Sequence, residues 1–336
     1  MLASVIVPAY NSEKAITECI KAIRSQELSD GKIDFEIIAV DDGSTDGTAA
    51  AAEKAGAKVL RQQNAGPAKA RNLGARNAKG VTLLFTDADC VPEKNWLREM
   101  LKPFADRDVV GVQGAYATRQ RSLVARFVQL EIEERYERMQ KHAQSLDWIG
   151  SYSAAYRAKD FFGAGGFDES FPKASGEDPE LSYKLAKKGK KLVFNPSAVV
   201  YHTHPDTIWK YFRTKFYRAF YRIPLYSKHT DKIISDSYTT KSVKVQILAG
   251  YFGTAAMLMV PVLYLSGHAW VAGTVLSINT LLFIAGSATI LKSAYFMSGK
   301  DLPVAAFSIL MINVRTLAFM LGLPAGFIRH AKGALK

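Results

Sequence analysis

A chain of 336 residues is longer than one small core needs, and 48% hydrophobic against 22% charged residues excludes a disordered polymer. Two cysteines, Cys19 and Cys90, fit neither a disulfide scaffold nor a zinc module. The net charge of +13 favours anionic partners, but no DNA or RNA recognition motif accompanies it, so nucleic acid is not the expected partner.

The first residues, MLASVIVPAYNSEK, hold a short apolar run without a basic leader, so they read as neither a signal peptide nor an anchor. The soluble part is therefore expected in the cytoplasm. Ser4 to Val7 and Glu36 to Val40 are short, β-branched strand patterns, and Ala15, Ile16, Cys19, Ile20 and Ile23 recur at helical spacing between them. Val59 and Leu60 mark a third strand and Val81 to Phe85 a fourth. Alternation of this kind predicts an α/β fold, a Rossmann-like, mainly parallel sheet with helices on both faces.

Ligands of such sheets bind beyond the carboxyl ends of the strands. Two acidic clusters arrive there: Asp41 and Asp42, followed by GSTDGT, and Asp87 and Asp89 within TDADC. Burying paired carboxylates is costly unless cations or hydrogen-bond donors meet them. The turn after Asp42 supplies free helix-start N–H groups, and on that ground alone the pair reads as a helix cap. Asp87 and Asp89 offer hard oxygen ligands to one space, which suits Mg²⁺ or Mn²⁺ carrying a diphosphate, with a cap before the next helix as the alternative for Asp89.

Farther along, Leu123 to Gln144 is amphipathic, and most of its charge reads as a solvated face with i,i+4 pairing. Glu177 and Asp178 stand where first-turn acids of a helix would stand. His202 and His204 follow the strand pattern AVVY, where a histidine by itself reads as structural or exposed. Asp206 to Tyr226 interleaves Trp209, Phe212, Phe216 and Phe220 with Lys210, Arg213, Lys215, Arg218 and Arg222. Aromatics beside cations at helical spacing describe an interfacial helix, and Lys210, Arg213, Lys215 and Arg218 become candidate contacts to lipid phosphate. Packing on the α/β domain is the other reading of the same pattern.

Between Tyr201 and Lys244 nine Lys or Arg face three Asp, a basic band ahead of the most apolar part of the chain. Val245–Leu265 and Trp270–Leu291 contain no charge over 21 and 22 residues, enough for two membrane spans. Lys241 and Lys244 before the first, and Lys292 and Lys300 after the second, place both flanks on the cytoplasmic side. A third apolar stretch, Leu302 to Ile328, carries Arg315, Gly322, Pro324 and Gly326 and is expected to be broken or re-entrant rather than to cross fully. The expected divisions are 1–205 catalytic, 206–244 interfacial and 245–336 transmembrane, a multi-pass protein of the cell membrane.

The stretches VIVPAYNSEKAITECIKAI, IIAVDDGSTDGT, NAGPAKARNLGARNAKG and LLFTDADC, followed by FFGAGGFDESF and GEDPELSYKLAKKG, together resemble glycosyltransferase family 2 with its GT-A fold over roughly the first 205 residues. The resemblance implies an inverting, metal-dependent enzyme that takes a UDP- or GDP-linked sugar. It places Pro8, Ala9, Tyr10, Asp41, Asp42, Arg71 and Asp87 on the donor side, with Asp41 at the base and Arg71 at the base or diphosphate. It assigns Asp89 to Mn²⁺ or Mg²⁺, with Asp87 at the ribose or the metal and His202 or His204 as the further contact. Gly165, Gly166, Phe167 and Asp168 fall on the acceptor-side loop, and Asp178, with Glu177 beside it, matches the base that takes the acceptor's proton.

The expected acceptor is lipid-linked. The rival is a polyprenyl-phosphate sugar synthase, whose acceptor is the lipid phosphate itself. No QxxRW stretch points to a processive synthase, and no G-x-G-x-x-G follows the first strand to suggest an oxidoreductase.

Overall fold

The computed structural model describes residues 2–27, 34–141, 146–171, 176–233 and 240–334. The chain forms two compact units, one of residues 1–120 and 135–204, the other of 121–134 and 205–336. The stretch 121–134 groups with the C-terminal helices rather than with the rest of residues 1–204.

The first unit is one eight-stranded sheet clothed by helices. Its strands are β1 (Leu2–Ala9), β2 (Asp34–Asp41), β3 (Lys58–Arg61), β4 (Thr82–Thr86), β5 (Cys90–Pro92), β6 (Val109–Ala117), β7 (Ser153–Arg157) and β8 (Lys191–His202), in the spatial order β3-β2-β1-β4-β7-β6-β8-β5. β3, β2, β1 and β4 run parallel, as the alternating pattern predicts, while β7 lies antiparallel between β4 and β6. β1 and β4 are almost continuously buried because both faces of the sheet are covered there.

Helix α1 (Glu13–Arg24) buries Ile16, Cys19, Ile20 and Ile23, the stripe read from the sequence, and Cys19 is core. Each such apolar side chain contributes about 1.5–3 kcal/mol by leaving water. Helices α2 (Thr48–Ala55) and α3 (Pro67–Arg76) complete the two βα units that point Asp41, Asp42 and Arg71 toward the carboxyl ends of β1, β2 and β4. Farther on come α4 (Trp96–Leu101), α5 (Leu123–Lys141), α6 (Ala158–Gly163) and α7 (Glu177–Lys187).

The second unit holds α8 (Ile208–Lys228), α9 (Lys241–Leu265), α10 (Ala269–Ser298) and α11 (Leu302–Ala334). Three of them, Lys241–Leu265, Ala269–Ser298 and Leu302–Lys332, are long and apolar enough to cross a membrane. The third corrects the expectation of a broken segment, since α11 is a single helix of 33 residues with Pro324 inside it. Its glycines serve close packing on α8: a Cβ at Gly322 would lie 2.5 Å from the Phe216 carbonyl oxygen, and one at Gly326 2.3 Å from that of Phe220.

Helix α8 forms where the aromatic-basic pattern placed it. Trp209, Phe212, Phe216 and Phe220 stack along one side, with centroids 5.4, 6.4 and 6.4 Å apart, while Tyr211, Lys215, Ala219 and Leu225 are buried. Lys215 therefore is not an open contact for lipid phosphate. Its Nζ lies 2.7 Å from Glu131 Oε2, and Arg315 Nη1 reaches Glu131 Oε1 at 2.7 Å. This ion cluster also corrects the reading of α5, because Glu131 lies inward rather than on a solvated face. Lys210 and Arg213 remain exposed, Lys210 pairing with Asp206 at 2.8 Å, and Arg218 is half-buried.

Candidate active site

The site lies in the first unit, at the carboxyl ends of β1, β2 and β4. Pro8 and Ala9 end β1 opposite Val40 and Asp41, and Tyr10 follows with its ring half exposed. The loops after β1 and β2 are laced together: Asn11 N–H donates to Ser44 Oγ at 2.9 Å, and Thr45 N–H donates to Asn11 Oδ1 at 2.9 Å. The Asp41 carboxylate accepts from Ser44 N–H at 3.0 Å and stays next to this rim.

Asp42 answers differently from its neighbour. Its Oδ1 accepts from Gln62 Nε2 at 2.6 Å and Ala65 N–H at 2.8 Å, and its Oδ2 accepts from Gly66 N–H at 2.9 Å. Three donors meeting one buried carboxylate offset its desolvation, and through them Asp42 holds the loop that starts α3.

Arg71 is likewise committed to protein groups. Its Nη2 lies 2.8 Å from Asp87 Oδ1 and its Nη1 2.8 Å from Glu177 Oε1, with the guanidinium buried. Burial opposes its charge, but Asp87 and Glu177 outweigh burial and hold the cation firmly. The planar fork thus joins the acidic pair after β4 to the acidic pair at the start of α7. Arg71 thereby fixes both acidic sites relative to each other. Arg71→Ala is expected to cost about 3–5 kcal/mol of folding stability by leaving buried carboxylate charge uncompensated. Thermal unfolding checks this, and Arg71→Lys should recover only part, since an ammonium cannot span both partners.

Asp87 and Asp89 follow β4, and with Cys90 they place one ligand atom each within 4.8 Å of one another. The pairing of β5 with β8 sets Cys90 opposite His202, which brings His202 Nε2 to 3.4 Å from Asp89 Oδ2. His204 is buried, its N–H donating to Gln120 Oε1 and its Nδ1 3.2 Å from His202 Nδ1, so it backs His202. Carboxylate oxygens with an imidazole nitrogen suit a borderline-to-hard divalent ion such as Mn²⁺ or Mg²⁺. Tyr116 stacks on Tyr152 with centroids 3.5 Å apart and meets the His202 ring at 4.8 Å, forming a wall that no motif in the sequence announced.

The GGFDE loop is tied to α3 from below. Asn72 Nδ2 donates to the Phe167 carbonyl at 2.8 Å, and Phe167 N–H donates back to Asn72 Oδ1 at 3.0 Å. Gly166 takes φ +68°, and a Cβ there would fall 2.9 Å from Asn72 Oδ1, so the turn requires glycine. Phe167 is buried beside Phe85 and Phe161, with ring centroids 5.1 and 5.3 Å away, so its ring anchors the loop in the core. Gly165 is exposed and Asp168 half-buried, accepting from Ser170 N–H at 2.9 Å.

The two acids that open α7 have separate surroundings. Glu177 is buried, accepting from Arg71 and from Gly176 N–H at 3.1 Å. Asp178 accepts one backbone bond, from Ser151 N–H at 3.3 Å. Desolvation and the neighbouring Glu177 charge push its carboxyl up to about 8, against the pull of Arg71. A carboxylate poised there can hold or take a proton near neutral pH.

Residues 4–161 match glycosyl transferase family 2. Pre-mycofactocin glycosyltransferase of Mycobacterium tuberculosis is 26% identical over 274 residues, covering 77% of this chain and 56% of that protein, so the chain spans about half the length of this relative. Poly(ribitol-phosphate) beta-N-acetylglucosaminyltransferase TarS of Staphylococcus aureus is 40% identical over 105 residues, 30% of this chain and 18% of that one. Among solved structures, mannosyltransferase PcManGT from Pyrobaculum calidifontis, in complex with GDP-Man and Mn²⁺, superposes with a TM-score of 0.58 at 21% identity, covering 97% of this chain and 86% of that one. The match to glycosyl transferase family 2 thus covers residues 4–161, just under half of the chain, and the first unit has a GT-A-like fold.

Proposed function

We propose that this protein is an inverting, metal-dependent glycosyltransferase that moves a sugar from a nucleotide-diphosphate donor to a hydroxyl of a lipid-linked acceptor at the cytoplasmic face of a membrane. The observation that carries the reading is the cluster of Asp87, Asp89 and His202 beyond β4, joined through Arg71 to the Glu177–Asp178 pair that opens α7. Pro8, Ala9 and Tyr10 lie along the nucleotide, and Asp41 faces its base. Asp89, Asp87 and His202 hold Mn²⁺ or Mg²⁺, which when bound neutralises the departing diphosphate. Asp178 accepts the acceptor's hydroxyl proton as that oxygen bonds to the anomeric carbon and the bond to the diphosphate breaks. Glu177 and Arg71 keep Asp178 and Asp87 in register.

Three helices of membrane-spanning length and the aromatic ladder of α8 support an acceptor carried by lipid. Offering the full chain a polyprenyl monophosphate and, separately, a polyprenyl-diphosphate saccharide distinguishes the two lipid readings: transfer to the saccharide supports ours, and transfer to the monophosphate alone supports the synthase. The metal assignment is tested by calorimetry of UDP and GDP with and without Mn²⁺. Asp89→Ala is expected to remove the Mn²⁺-dependent part of binding and all transfer, while Asp41→Ala weakens binding with either metal alike. Mn²⁺-dependent binding that persists in Asp89→Ala overturns the assignment.

A further inference from the structure

Helix α11 is long and apolar enough to cross a membrane, yet nearly half of its apolar stretch is buried within the protein, against almost none of α9 or α10. Val304, Met311, Ile312, Ala318 and Phe319 are buried along one side, while Leu302, Ile309, Leu310, Leu317, Leu321 and Ile328 recur every seven or four residues as an exposed apolar face. The elements that cover the buried side decide where the helix lies.

The first half of α11 is held by α5. Arg126 Nε donates to Asp301 Oδ2 at 2.8 Å just before α11 begins, and Arg315 Nη1 lies 2.7 Å from Glu131 Oε1. Were α11 to run straight across a bilayer, Asp301 and Arg315 would differ in depth by about 21 Å. Both instead reach residues about 7.5 Å apart along α5. Arg126, Glu131, Glu133 and Glu134 keep that helix out of hydrocarbon.

The second half is held by α8. The close approaches of Gly322 to Phe216 and of Gly326 to Phe220 advance by four residues on each helix, so the two run side by side in the same direction. Arg329 continues the pairing, its guanidinium 5.7 Å from the Phe220 ring centroid. Helix α8 carries Lys210, Arg213, Lys215, Arg218, Arg222 and Lys228 and no acid in its 21 residues, with Lys210, Arg213 and Lys228 exposed. Such a helix lies at a membrane surface, not through it. Helix α11 meets α9 at Gln246, Gly250 and Tyr251, in the first half of that span, and beyond them Met257, Leu258, Val262 and Leu265 are exposed.

We infer that α11 is not a third span: it lies in the plane of the membrane surface beside α8, and its exposed apolar face docks on the lipid leaflet at which α9 begins. The chain then crosses as the α9–α10 hairpin, and the end of α11 stays on the side from which α9 enters. Lipid is the committed occupant because α10 ends at Ser298 and α11 starts at Leu302, which holds the start of the face at the leaflet where the hairpin returns. The cations of α8 suit the headgroup layer of that leaflet.

The test uses the full chain. Cys19 and Cys90 are buried, so single cysteines introduced at exposed positions report alone. In membrane vesicles of one orientation, an impermeant maleimide should label Ser266→Cys and leave Gly299→Cys and Lys332→Cys unlabelled, and vesicles of the opposite orientation should reverse the pattern. Nitroxide labels on Leu310→Cys, Leu317→Cys and Ile328→Cys, in vesicles of phosphatidylglycerol and phosphatidylcholine, should report one depth of about 5–10 Å below the headgroups. A label on Ile278→Cys, exposed within α10, should report about 15 Å. Labelling of Lys332→Cys together with Ser266→Cys would make α11 a third span and overturn the inference. So would a Leu317 label as deep as the Ile278 label, which would make the helix re-entrant, or one that oxygen dissolved in lipid does not reach, which would give the face to another protein.

Discussion

Asp178→Asn is expected to slow sugar transfer by roughly 10²–10⁴-fold while leaving nucleotide-diphosphate binding close to wild type. Asparagine keeps the shape and still accepts from Ser151 N–H, but cannot take the acceptor's proton. The same change should stabilise the fold. The Asp178 carboxyl is raised from 3.8 to about 8 in the folded chain, so between those values the folded state holds a proton that the unfolded state has released. Stability therefore falls as pH rises through that window, and the neutral variant is spared the loss. Its melting temperature should exceed wild type at pH 8 by several degrees, with the gap closing toward pH 4. Wild-type transfer should climb with pH toward a plateau above about 8, as the base loses its own proton. Loss of donor binding in Asp178→Asn as complete as in Asp89→Ala would make Asp178 a structural acid of α7 instead.

Much of this arrangement was legible in the sequence because strand and helix periods repeat in it without interruption. Ile16, Cys19, Ile20 and Ile23 face the sheet as their spacing requires, and the strand-end acids arrive where a parallel sheet delivers them. What escaped was the direction in which individual polar groups are satisfied. Asp41 and Asp42 are adjacent and alike in sequence, yet one stays at the rim while the other is taken up by Gln62, Ala65 and Gly66. That choice depends on the path of a loop more than twenty residues downstream, which no local pattern encodes.

The glycines of α11 misled for a related reason. Gly322, Pro324 and Gly326 read as helix breakers in isolation, but the missing Cβ atoms let α8 approach to backbone contact, and packing more than offsets the poor local propensity. Tyr116 and Tyr152, the wall beside His202, come from separate elements and carried no shared signal.

Glu131→Ala should be the most damaging substitution in the second unit. Glu131 receives Lys215, Arg315 and, at 3.2 Å, the Tyr211 hydroxyl, and Gln246 Oε1 accepts from Arg315 Nη2 at 2.8 Å, so one carboxylate ties α5 to α8 and α11. Burial works against its charge, yet the two cations hold its carboxyl far below the usual range. Such a group stabilises the fold above the ordinary carboxylate range, and its contribution is lost as pH falls through and below that range. Truncation removes the buried anion that Lys215 and Arg315 share, a loss of about 3–5 kcal/mol. The measurement is thermal unfolding in detergent at pH 7, where Glu131→Ala should melt roughly ten degrees lower. A second variant separates charge from shape: Glu131→Leu with Lys215→Met and Arg315→Met removes all three charges and should recover most of the loss, because an apolar cluster of similar volume needs no compensation. If Glu131→Ala melts with wild type, water reaches the cluster, and α5 is held to the helical unit by apolar contacts such as Phe127 on Tyr211, 5.6 Å apart, rather than by the ion cluster.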